Sequence, residues 1–187
     1  MESVEHYIKS NSSTFKGKNV LVTGATGGVG SLATINILNL GANVIATTRN
    51  AKKISEKLGR VSNNNKFSYE IIDFEKPDLI KRGVKNIIKK FKGRIDIVII
   101  SHGIWVAGGI DTTDKIEFDH ALNVNVRSVF FLISSIVPFI KITNGNIVVM
   151  SGIEGMIPTK DGFINSISKV CLTNSILYIF NIKVYVK

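Results

Sequence analysis

Short apolar runs alternate with longer segments of helical period from Lys18 onward. This alternation predicts βαβ units, in which helices connect parallel strands. The strand candidates are Asn19 to Thr23, Asn43 to Thr48, Phe67 to Ile72, Ile95 to Ile100, Asn146 to Met150 and Ile182 to Val186. Most are continuously apolar, as expected when helices cover both faces of a sheet. The pattern therefore predicts an α/β fold with a doubly wound parallel sheet of six strands in three layers, α/β/α.

Two of the predicted helices differ in how much of their surface is apolar. Between Pro77 and Lys92 the apolar residues recur at steps of three and four, which predicts an amphipathic helix docked on the sheet. The segment from Glu117 to Lys141 leaves little polar face, so it needs burial on more than one side. Core packing alone and a subunit interface both satisfy that need.

A glycine-rich segment, Thr23-Gly24-Ala25-Thr26-Gly27-Gly28-Val29-Gly30, lies between the first strand and a helical stretch. Glycine permits a tight turn there and lets the backbone approach a phosphate, while the amides at the start of the helix attract the phosphate charge. A structural turn also collects glycine, but the position inside a βαβ unit favours a nucleotide site. The motif therefore predicts a Rossmann-like, dinucleotide-binding fold.

Length and composition fit one globular domain. The 187 residues include 44% hydrophobic and 20% charged residues, 16 Gly and 3 Pro, which excludes the collagen-like, disordered and disulfide-rich classes. We find no internal repeat and no linker to a second domain. We therefore divide the chain into a polar N-terminal extension, residues 1–17, and one Rossmann-type domain over residues 18–187.

The cysteine content and the lengths of the apolar runs bear on where in the cell the protein is expected. A single cysteine, Cys171, cannot form an internal disulfide or a zinc site alone, so a reducing, cytoplasmic location is expected and no metal site is predicted. The longest weakly polar stretch, Ser128 to Ile140, has 13 residues, which are too few to span a bilayer. Glu2 and Glu5 stand where a signal peptide carries positive charge.

The net charge of +10 raises the question of a polyanionic partner. Lys, Asn and Ile are abundant together, as a drift toward AT-rich codons produces without selecting any partner. The basic run in the predicted helix at 77–92 lacks the interleaved aromatic residues that bind single strands. Nucleic acid is therefore not the expected partner.

The spacing Thr-Gly-x-x-x-Gly-x-Gly resembles that of the short-chain dehydrogenase/reductase family. Further segments follow in the order of that family, and the resemblance extends from about Lys18 to the C-terminus. It implies an NAD(P)-dependent oxidoreductase acting on a small carbonyl compound or secondary alcohol. It also implies cofactor contacts at Thr23, Gly24, Thr26, Gly27, Gly28, Val29, Gly30, Asp73, Gly103 and Lys169.

The end of the second strand, Val44 to Asn50, bears on which dinucleotide binds. An acidic residue there would accept hydrogen bonds from the ribose 2′-hydroxyl of NAD(H), whereas the 2′-phosphate of NADP(H) needs a cation. The stretch has no carboxylate, and Arg49 stands where NADP-preferring relatives place an arginine. NADP(H) is therefore favoured over NAD(H), with a surface arginine at a strand end as the alternative.

Two further loops match the family less closely. Asp73 matches the position whose side chain contacts adenine, and a helix cap is the alternative interpretation. The family usually has Asn-Asn-Ala-Gly after the fourth strand, where this chain has Ile100-Ser101-His102-Gly103. Only Gly103 is retained, and we interpret His102 as a loop or packing residue rather than an acid or base.

The resemblance places the family's catalytic Asn, Ser, Tyr and Lys on four positions of this chain. Asn125 and Lys169 match the Asn and the Lys, whereas Gly152 and Asn165 stand at the Ser and Tyr positions. A carboxamide does not titrate in the useful range, and glycine has no side-chain donor. Little or no turnover by the usual chemistry is therefore expected.

Three interpretations of function remain open. The first is an NADP(H)-dependent oxidoreductase, and the second is a catalytically inactive NADP(H)-binding protein that acts as a regulatory or assembly partner. The third is a truncated gene product, because residues 182–187 resemble the strand before a Pro-Gly turn and a substrate-binding segment that the sequence does not include. The resemblance also implies homo- or hetero-oligomers packed through helices at 118–140 and 163–180.

Overall fold

The computed structural model describes residues 12–178 and 184–185. Six strands form one sheet in the order β3-β2-β1-β4-β5-β6. Their bounds are β1 (Asn19–Thr23), β2 (Asn43–Thr48), β3 (Phe67–Ile71), β4 (Ile97–Ile100), β5 (Asn146–Val149) and β6 (Val184–Tyr185). Each neighbouring pair is parallel. The predicted doubly wound parallel sheet is therefore confirmed.

Helices cover both faces of this sheet, which gives the three layers. Their bounds are α1 (Ser12–Phe15), α2 (Gly28–Asn39), α3 (Lys52–Leu58), α4 (Pro77–Lys90), α5 (Lys115–Leu122), α6 (Ser128–Thr143) and α7 (Phe163–Tyr178). A π-helical turn, Asn123–Arg127, joins α5 to α6, and short 3₁₀ turns lie at Gly59–Val61 and Ile153–Gly155.

The two faces of the sheet carry separate apolar cores. Val20 and Val22 of β1 face the layer of α2 and α3, whereas Leu21 faces the layer of α4 and α6. Successive side chains of a strand point to opposite faces, so a strand covered on both sides must be apolar at every position. This requirement explains the continuous apolar runs in the sequence.

The predicted strands agree with the observed ones except at a few ends. The fourth was predicted from Ile95, but β4 begins at Ile97 because the Asp96 carboxylate accepts a hydrogen bond from the Asn19 amide at 2.9 Å, which fixes the chain just before it enters the sheet. In the predicted strand at 182–186, residues 182, 183 and 186 lie outside the described residues. The rest of that segment is β6.

The N-terminal extension joins the domain before β1. Residues 1–11 lie outside the described residues, but Phe15 packs against the core under α2. The Gly17 amide also donates to the carbonyl of Gly41 at 3.1 Å. The last residues of the predicted extension therefore contact the domain.

The apolar helix predicted at 117–141 is longer than its pattern indicated. Residues Lys115–Thr143 form one continuous helix of 29 residues, and within the described part of the chain this helix alone has the length and hydropathy of a membrane span. Its residues Leu132, Ile136 and Ile140 are buried against the sheet in the core. This packing is that of a core helix.

The strand order creates a crevice at the carboxyl end of β1. The chain moves outward in one direction through β2 and β3, then returns to the other side of β1 with β4. Because consecutive connections leave β1 in opposite directions, the loops after β1 and β4 diverge, and ligands of such sheets bind in the gap.

Candidate functional site

The glycine-rich segment turns sharply from β1 into α2. Gly24 has a positive φ of 62°, and a Cβ there would lie 2.7 Å from the backbone nitrogen of His102. A Cβ on Gly30 would collide with the Gly24 carbonyl. These two glycines therefore let the loops after β1 and β4 touch, which explains why the sequence needs them.

The start of α2 is open on its outer side. A Cβ on Gly28 would meet nothing within 4 Å, and Gly27 at the N-cap provides no side-chain cap. The first amides of a helix have no partner within it, and they carry the positive end of its dipole. Val29 in this first turn is exposed. The turn thus offers free N–H groups to an anion.

A cavity of 290 Å³ extends from this turn along the carboxyl ends of the strands. Gly24, Thr26 and Gly27 line it together with the cations Arg49 and Lys53, and Thr26 Oγ1 lies 3.4 Å from Thr48 Oγ1 at the end of β2. The remaining lining residues are Thr47, Thr48, Asp73, Phe74, Glu75, Ser101, His102, Gly103, Ile104 and Val124. Of the residues predicted to contact a cofactor, Gly24, Thr26, Gly27, Arg49, Asp73 and Gly103 line this cavity, whereas Thr23, Gly28, Val29, Gly30 and Lys169 do not.

Acidic residues stand close to Arg49 in the cavity wall. The Arg49 guanidinium lies 3.8 Å from the Glu75 carboxylate, and the Arg49 side chain is exposed whereas that of Glu75 is partly buried. Glu75 also lies 3.2 Å from His120 Nδ1. Asp73 accepts a hydrogen bond from the Glu75 amide at 3.1 Å, whereas the N-cap of α4 is Lys76. Asp73 therefore shapes the turn before α4 and is not its cap.

A buried polar chain passes beneath the cavity through His102. The Ser101 amide donates to Thr23 Oγ1 at 3.2 Å, and Thr23 Oγ1 lies 2.7 Å from His102 Nδ1. His102 Nε2 lies 2.8 Å from Ser128 Oγ, which donates to the Val124 carbonyl. The Ser128 hydroxyl proton is already used in the hydrogen bond to the Val124 carbonyl. His102 therefore donates from Nε2 to Ser128 Oγ and accepts at Nδ1 from Thr23 Oγ1. Thr23 is thus occupied by protein contacts.

The surroundings of His102 keep its ring neutral. Its ring stacks on Phe74 with the centroids 3.9 Å apart. Burial, and next the positive charge of Lys169, lower the pKa of His102 from 6.5 to about 3. A ring with this pKa does not exchange protons near neutral pH. The structure thus agrees with the interpretation of His102 as a packing residue.

Asn125 lies in the π-helical turn and holds the loop after β4. Its Oδ1 accepts from the Ile104 amide at 2.8 Å, and its Nδ2 donates to the Ile104 carbonyl at 3.0 Å. Nδ2 also lies 3.1 Å from Ser168 Oγ on α7. The extra residue of a π turn aims a side chain out of the ordinary helical spacing. Asn125 therefore connects α7 to this loop.

Asn165 holds the same loop two residues further on. Its Oδ1 accepts from the Val106 amide at 3.0 Å, and its Nδ2 donates to the Val106 carbonyl at 2.6 Å. The residue is buried. The side chain at the predicted tyrosine position therefore serves the backbone of a loop. It leaves no titratable group in that place.

Lys169 lies between the cavity and the loop after β5. Burial lowers the pKa of Lys169 below its ordinary value, and the nearby Glu154 carboxylate partly opposes this. A Cβ at Gly152 would lie 3.6 Å from Lys169 Cε and 2.5 Å from Glu154 Oε2. The space beside Gly152, the predicted serine position, is thus bordered by the Lys169 side chain and the Glu154 carboxylate. Ser151 instead contacts Thr173 on α7.

Sequence reasoning missed two charged residues of this site. Lys53 lines the cavity four residues after Arg49, a spacing that a strand followed by a helix turn could have suggested. Glu154 stands two residues after Gly152, and the 3₁₀ turn at Ile153–Gly155 folds it back. No pattern in the sequence marked that turn. Among the described residues, no group of His, Cys, Asp and Glu is arranged to hold a metal ion.

The sequence profile described as short chain dehydrogenase matches residues 18–175, which is most of the chain. The chain belongs to the short-chain dehydrogenase family. It is 29% identical over 143 residues to the 3-oxoacyl-[acyl-carrier-protein] reductase of Thermotoga maritima, a match that covers 75% of this chain and 58% of that protein. The chain spans 54 to 67% of the length of the curated relatives that it matches.

Solved short-chain dehydrogenases share the fold. One from Burkholderia phymatum in complex with NAD has a TM-score of 0.84 and 15% identity, over 92% of this chain and 64% of that one. A metagenomic short-chain oxidoreductase in complex with NADP has a TM-score of 0.81 and 24% identity, over 92% of this chain and 80% of that one. The predicted Rossmann-like fold and family are confirmed.

Short-chain dehydrogenases use a nicotinamide dinucleotide, and the residues of this chain fit one. A Cβ would fill the close approach at Gly24 and Gly30, whereas the space above Gly28 is open for a phosphate. Arg49 and Lys53 line the same cavity and supply positive charge. The site thus combines an anion-binding turn with two cationic side chains.

Proposed function

We propose that this short-chain dehydrogenase binds NADP(H) in the 290 Å³ cavity and is an oxidoreductase for a secondary alcohol and the corresponding carbonyl compound. The observation that carries the proposal is the open turn at Gly28, next to a cavity that Gly27, Arg49 and Lys53 line. Glycine at this turn leaves room for a pyrophosphate, and the helix amides bind its charge.

The preference for NADP(H) rests on the charges beside β2. Arg49 and Lys53 both line the cavity, and guanidinium and ammonium groups pair well with phosphate. Glu75 lies 3.8 Å from Arg49, a long and exposed contact that a 2′-phosphate can replace. The end of β2 has no carboxylate to receive the 2′-hydroxyl of NAD(H).

The chemistry expected of this site is slow. The bound dinucleotide supplies or accepts the hydride, and Lys169 provides a positive charge and a titratable group beside it. A general acid contributes about 10² to 10⁴ in rate, and one oxyanion donor about 10² to 10³. Gly152 and Asn165 supply neither group. The proposed enzyme therefore turns over far more slowly than one with the full set.

A second function is favoured by one contact. Asn165 is fully engaged with the Val106 backbone, so the tyrosine position has acquired a structural role. Such a position suits a dinucleotide-binding protein that regulates or assembles with an active relative. A protein of this kind would need the structural role of Asn165 but no proton donor at this position. This candidate predicts saturable NADPH binding without turnover.

Oligomer formation and location complete the proposal. Phe130 on α6 and Val170 on α7 expose large apolar side chains, which supports homo- or hetero-oligomers packed through the helices at 118–140 and 163–180. Cys171 has no disulfide partner among the described residues, which suits a reducing cytoplasm.

The proposal is tested by titrating the full chain with NADPH and NADH in a calorimeter. Gly28→Val should weaken NADPH binding at least about tenfold, because its side chain meets no protein atom but fills the phosphate space. Gly59→Ala, also in open space, is the matched control and should bind normally. The absence of saturable binding of either nucleotide by the wild type refutes the proposal.

Turnover separates the two candidate functions. With bound NADP⁺, the oxidoreductase should oxidise some secondary alcohol of a broad panel, and Lys169→Ala should abolish that oxidation. Tight NADPH binding with no turnover above buffer would favour the regulatory function instead.

A further inference from the structure

The space beside Gly152 is filled by a side chain from the next turn. Gly152 has an extended backbone, with φ of −154°, so any residue could stand there without strain. A Cβ at this position would lie 2.5 Å from Glu154 Oε2. The carboxylate therefore occupies the volume that a serine side chain at position 152 would need.

The turn that holds Glu154 is fixed against α7. The Gly155 amide donates to the Gly152 carbonyl at 3.0 Å, which closes the 3₁₀ turn. A Cβ on Gly155 would lie 3.1 Å from Lys169 Cβ, so the turn packs directly on the helix at Lys169. Glu154 Oε2 and Lys169 Cε thus both lie within 3.6 Å of the point where a Cβ on Gly152 would stand.

Glu154 also borders a second, mostly apolar cavity of 560 Å³. Met156, Phe163, Ile167 and Val170 line it. A Cβ at Gly152 would lie within 3.6 Å of both Glu154 Oε2 and Lys169 Cε, so these two side chains meet beside Gly152. Glu154 thus lies next to Lys169 at the edge of a space suited to an apolar molecule.

The change from a hydroxyl to a carboxylate alters which substrate the site accepts. A serine hydroxyl donates to a carbonyl oxygen or accepts from an alcohol, whereas an ionised carboxylate only accepts. A carbonyl oxygen facing Glu154 would meet a second acceptor. A hydroxyl group would instead donate to it and could lose its proton to it.

We propose that Glu154 takes over the missing side chain at position 152 as the proton acceptor of this site, and that the substrate presents a hydroxyl group on an apolar body. The proposal rests on the proposed function. The alcohol O–H bond breaks and its proton passes to a Glu154 carboxylate oxygen. The O–H electron pair forms the C=O bond as hydride leaves the same carbon for the oxidised dinucleotide.

Two residues complete the step. Glu154 is partly exposed, so it returns its proton to water and is ready again. The positive charge of Lys169 attracts the Glu154 carboxylate, and that carboxylate in turn partly offsets the lowering of the Lys169 pKa by burial. Lys169 is therefore a positioning residue for Glu154.

The test measures oxidation of apolar secondary alcohols by the full chain saturated with NADP⁺. Glu154→Gln keeps the shape but removes the acceptor charge, and it should lower kcat about 10²-fold or more while the Kd for NADP⁺ stays within about twofold. Glu56→Gln, an exposed glutamate on α3, is the matched control and should keep the wild-type kcat.

A second variant tests position rather than charge. Gly152→Ala retains the carboxylate but pushes it away, because its Cβ takes the place of Oε2. Gly152→Ala should lower kcat, as Glu154→Gln does, whereas Gly59→Ala should leave kcat unchanged.

A readout without turnover is the pKa of Lys169, followed by NMR of ¹³C-methylated lysines and assigned with Lys169→Arg. Glu154 raises that pKa, so Glu154→Gln should lower it further. An unchanged kcat in Glu154→Gln overturns this proposal alone, whereas no alcohol oxidation by a wild type that binds NADP⁺ overturns it together with the oxidoreductase function. Loss of dinucleotide binding by the wild type refutes the proposed function instead.

Discussion

Asn165 pairs with both backbone groups of Val106, donating to its carbonyl at 2.6 Å and accepting from its amide at 3.0 Å. Asn125 forms the same double contact with Ile104. The two amides hold alternate residues of one extended segment, as a neighbouring strand would. The position predicted to match a catalytic tyrosine is therefore part of the framework in this chain.

Asn165→Ala should lower the free energy of unfolding by about 1 to 3 kcal/mol, because two part-buried backbone groups of Val106 lose their partners. Hydrogen exchange of the Ile104 and Val106 amides should accelerate in the same variant. Urea unfolding and exchange measured by mass spectrometry check both effects. Asn174→Ala, an exposed position of α7, is the control and should leave the loop protected. Equal free energies of unfolding of the two variants would contradict the proposed role of Asn165 in holding the Val106 backbone.

His102 should make the protein less stable in acid. Its pKa is about 3 in the folded protein and 6.5 in its ordinary state. Below pH 6.5, His102 therefore takes up a proton in the unfolded chain but stays neutral in the folded chain. The contribution of His102 to stability is complete above pH 6.5 and falls by about 1.4 kcal/mol per pH unit as pH drops toward 3.

His102→Ala isolates this contribution. At pH 7.5 the variant should lose about 1 to 3 kcal/mol, since Thr23 and Ser128 lose a partner. Between pH 6.5 and 4 its stability should fall less steeply than that of the wild type. Urea unfolding followed by circular dichroism at several pH values measures both curves. Parallel curves would show that His102 is not the group responsible.

Arg49 and Lys53 should distinguish the two dinucleotides. Arg49→Ala and Lys53→Ala should each raise the Kd for NADPH about 10- to 100-fold, as expected for a lost charge-assisted hydrogen bond of about 1.5 to 3 kcal/mol. The Kd for NADH should change less than about twofold. Lys52→Ala removes an equal charge from the neighbouring exposed position outside the cavity. A similar effect of all three variants would indicate general attraction instead.

Substitution of Phe130 tests whether the proposed oligomer forms through the helix at 118–140. Its side chain is 65% exposed on α6, so Phe130→Ser removes apolar area from the helix surface at 118–140 and should dissociate the assembly. Ile142, also 65% exposed but beyond that range, provides the control variant Ile142→Ser. Light scattering after size exclusion gives the mass of each. A monomeric wild type, or dissociation by both variants, would refute this interface.

The sheet and the glycine turn could be predicted because their signals are local. A continuous apolar run, such as the one around Leu21, indicates a strand that is buried on both faces of the sheet. Gly24 in a glycine-rich turn indicates a positive φ. The roles of Asn165 and Glu154 could not be predicted. Asn165 meets Val106 across 59 residues of sequence, and Glu154 reaches Gly152 through a turn without a composition signal.

The paired amides also affect how a ligand enters. A segment tied at Ile104 and Val106 has already lost its conformational entropy before any molecule arrives. The wall of the dinucleotide cavity is therefore pre-organised, and association has little ordering cost to overcome there. We expect binding in a single fast phase, without the slow rearrangement that a mobile wall would impose.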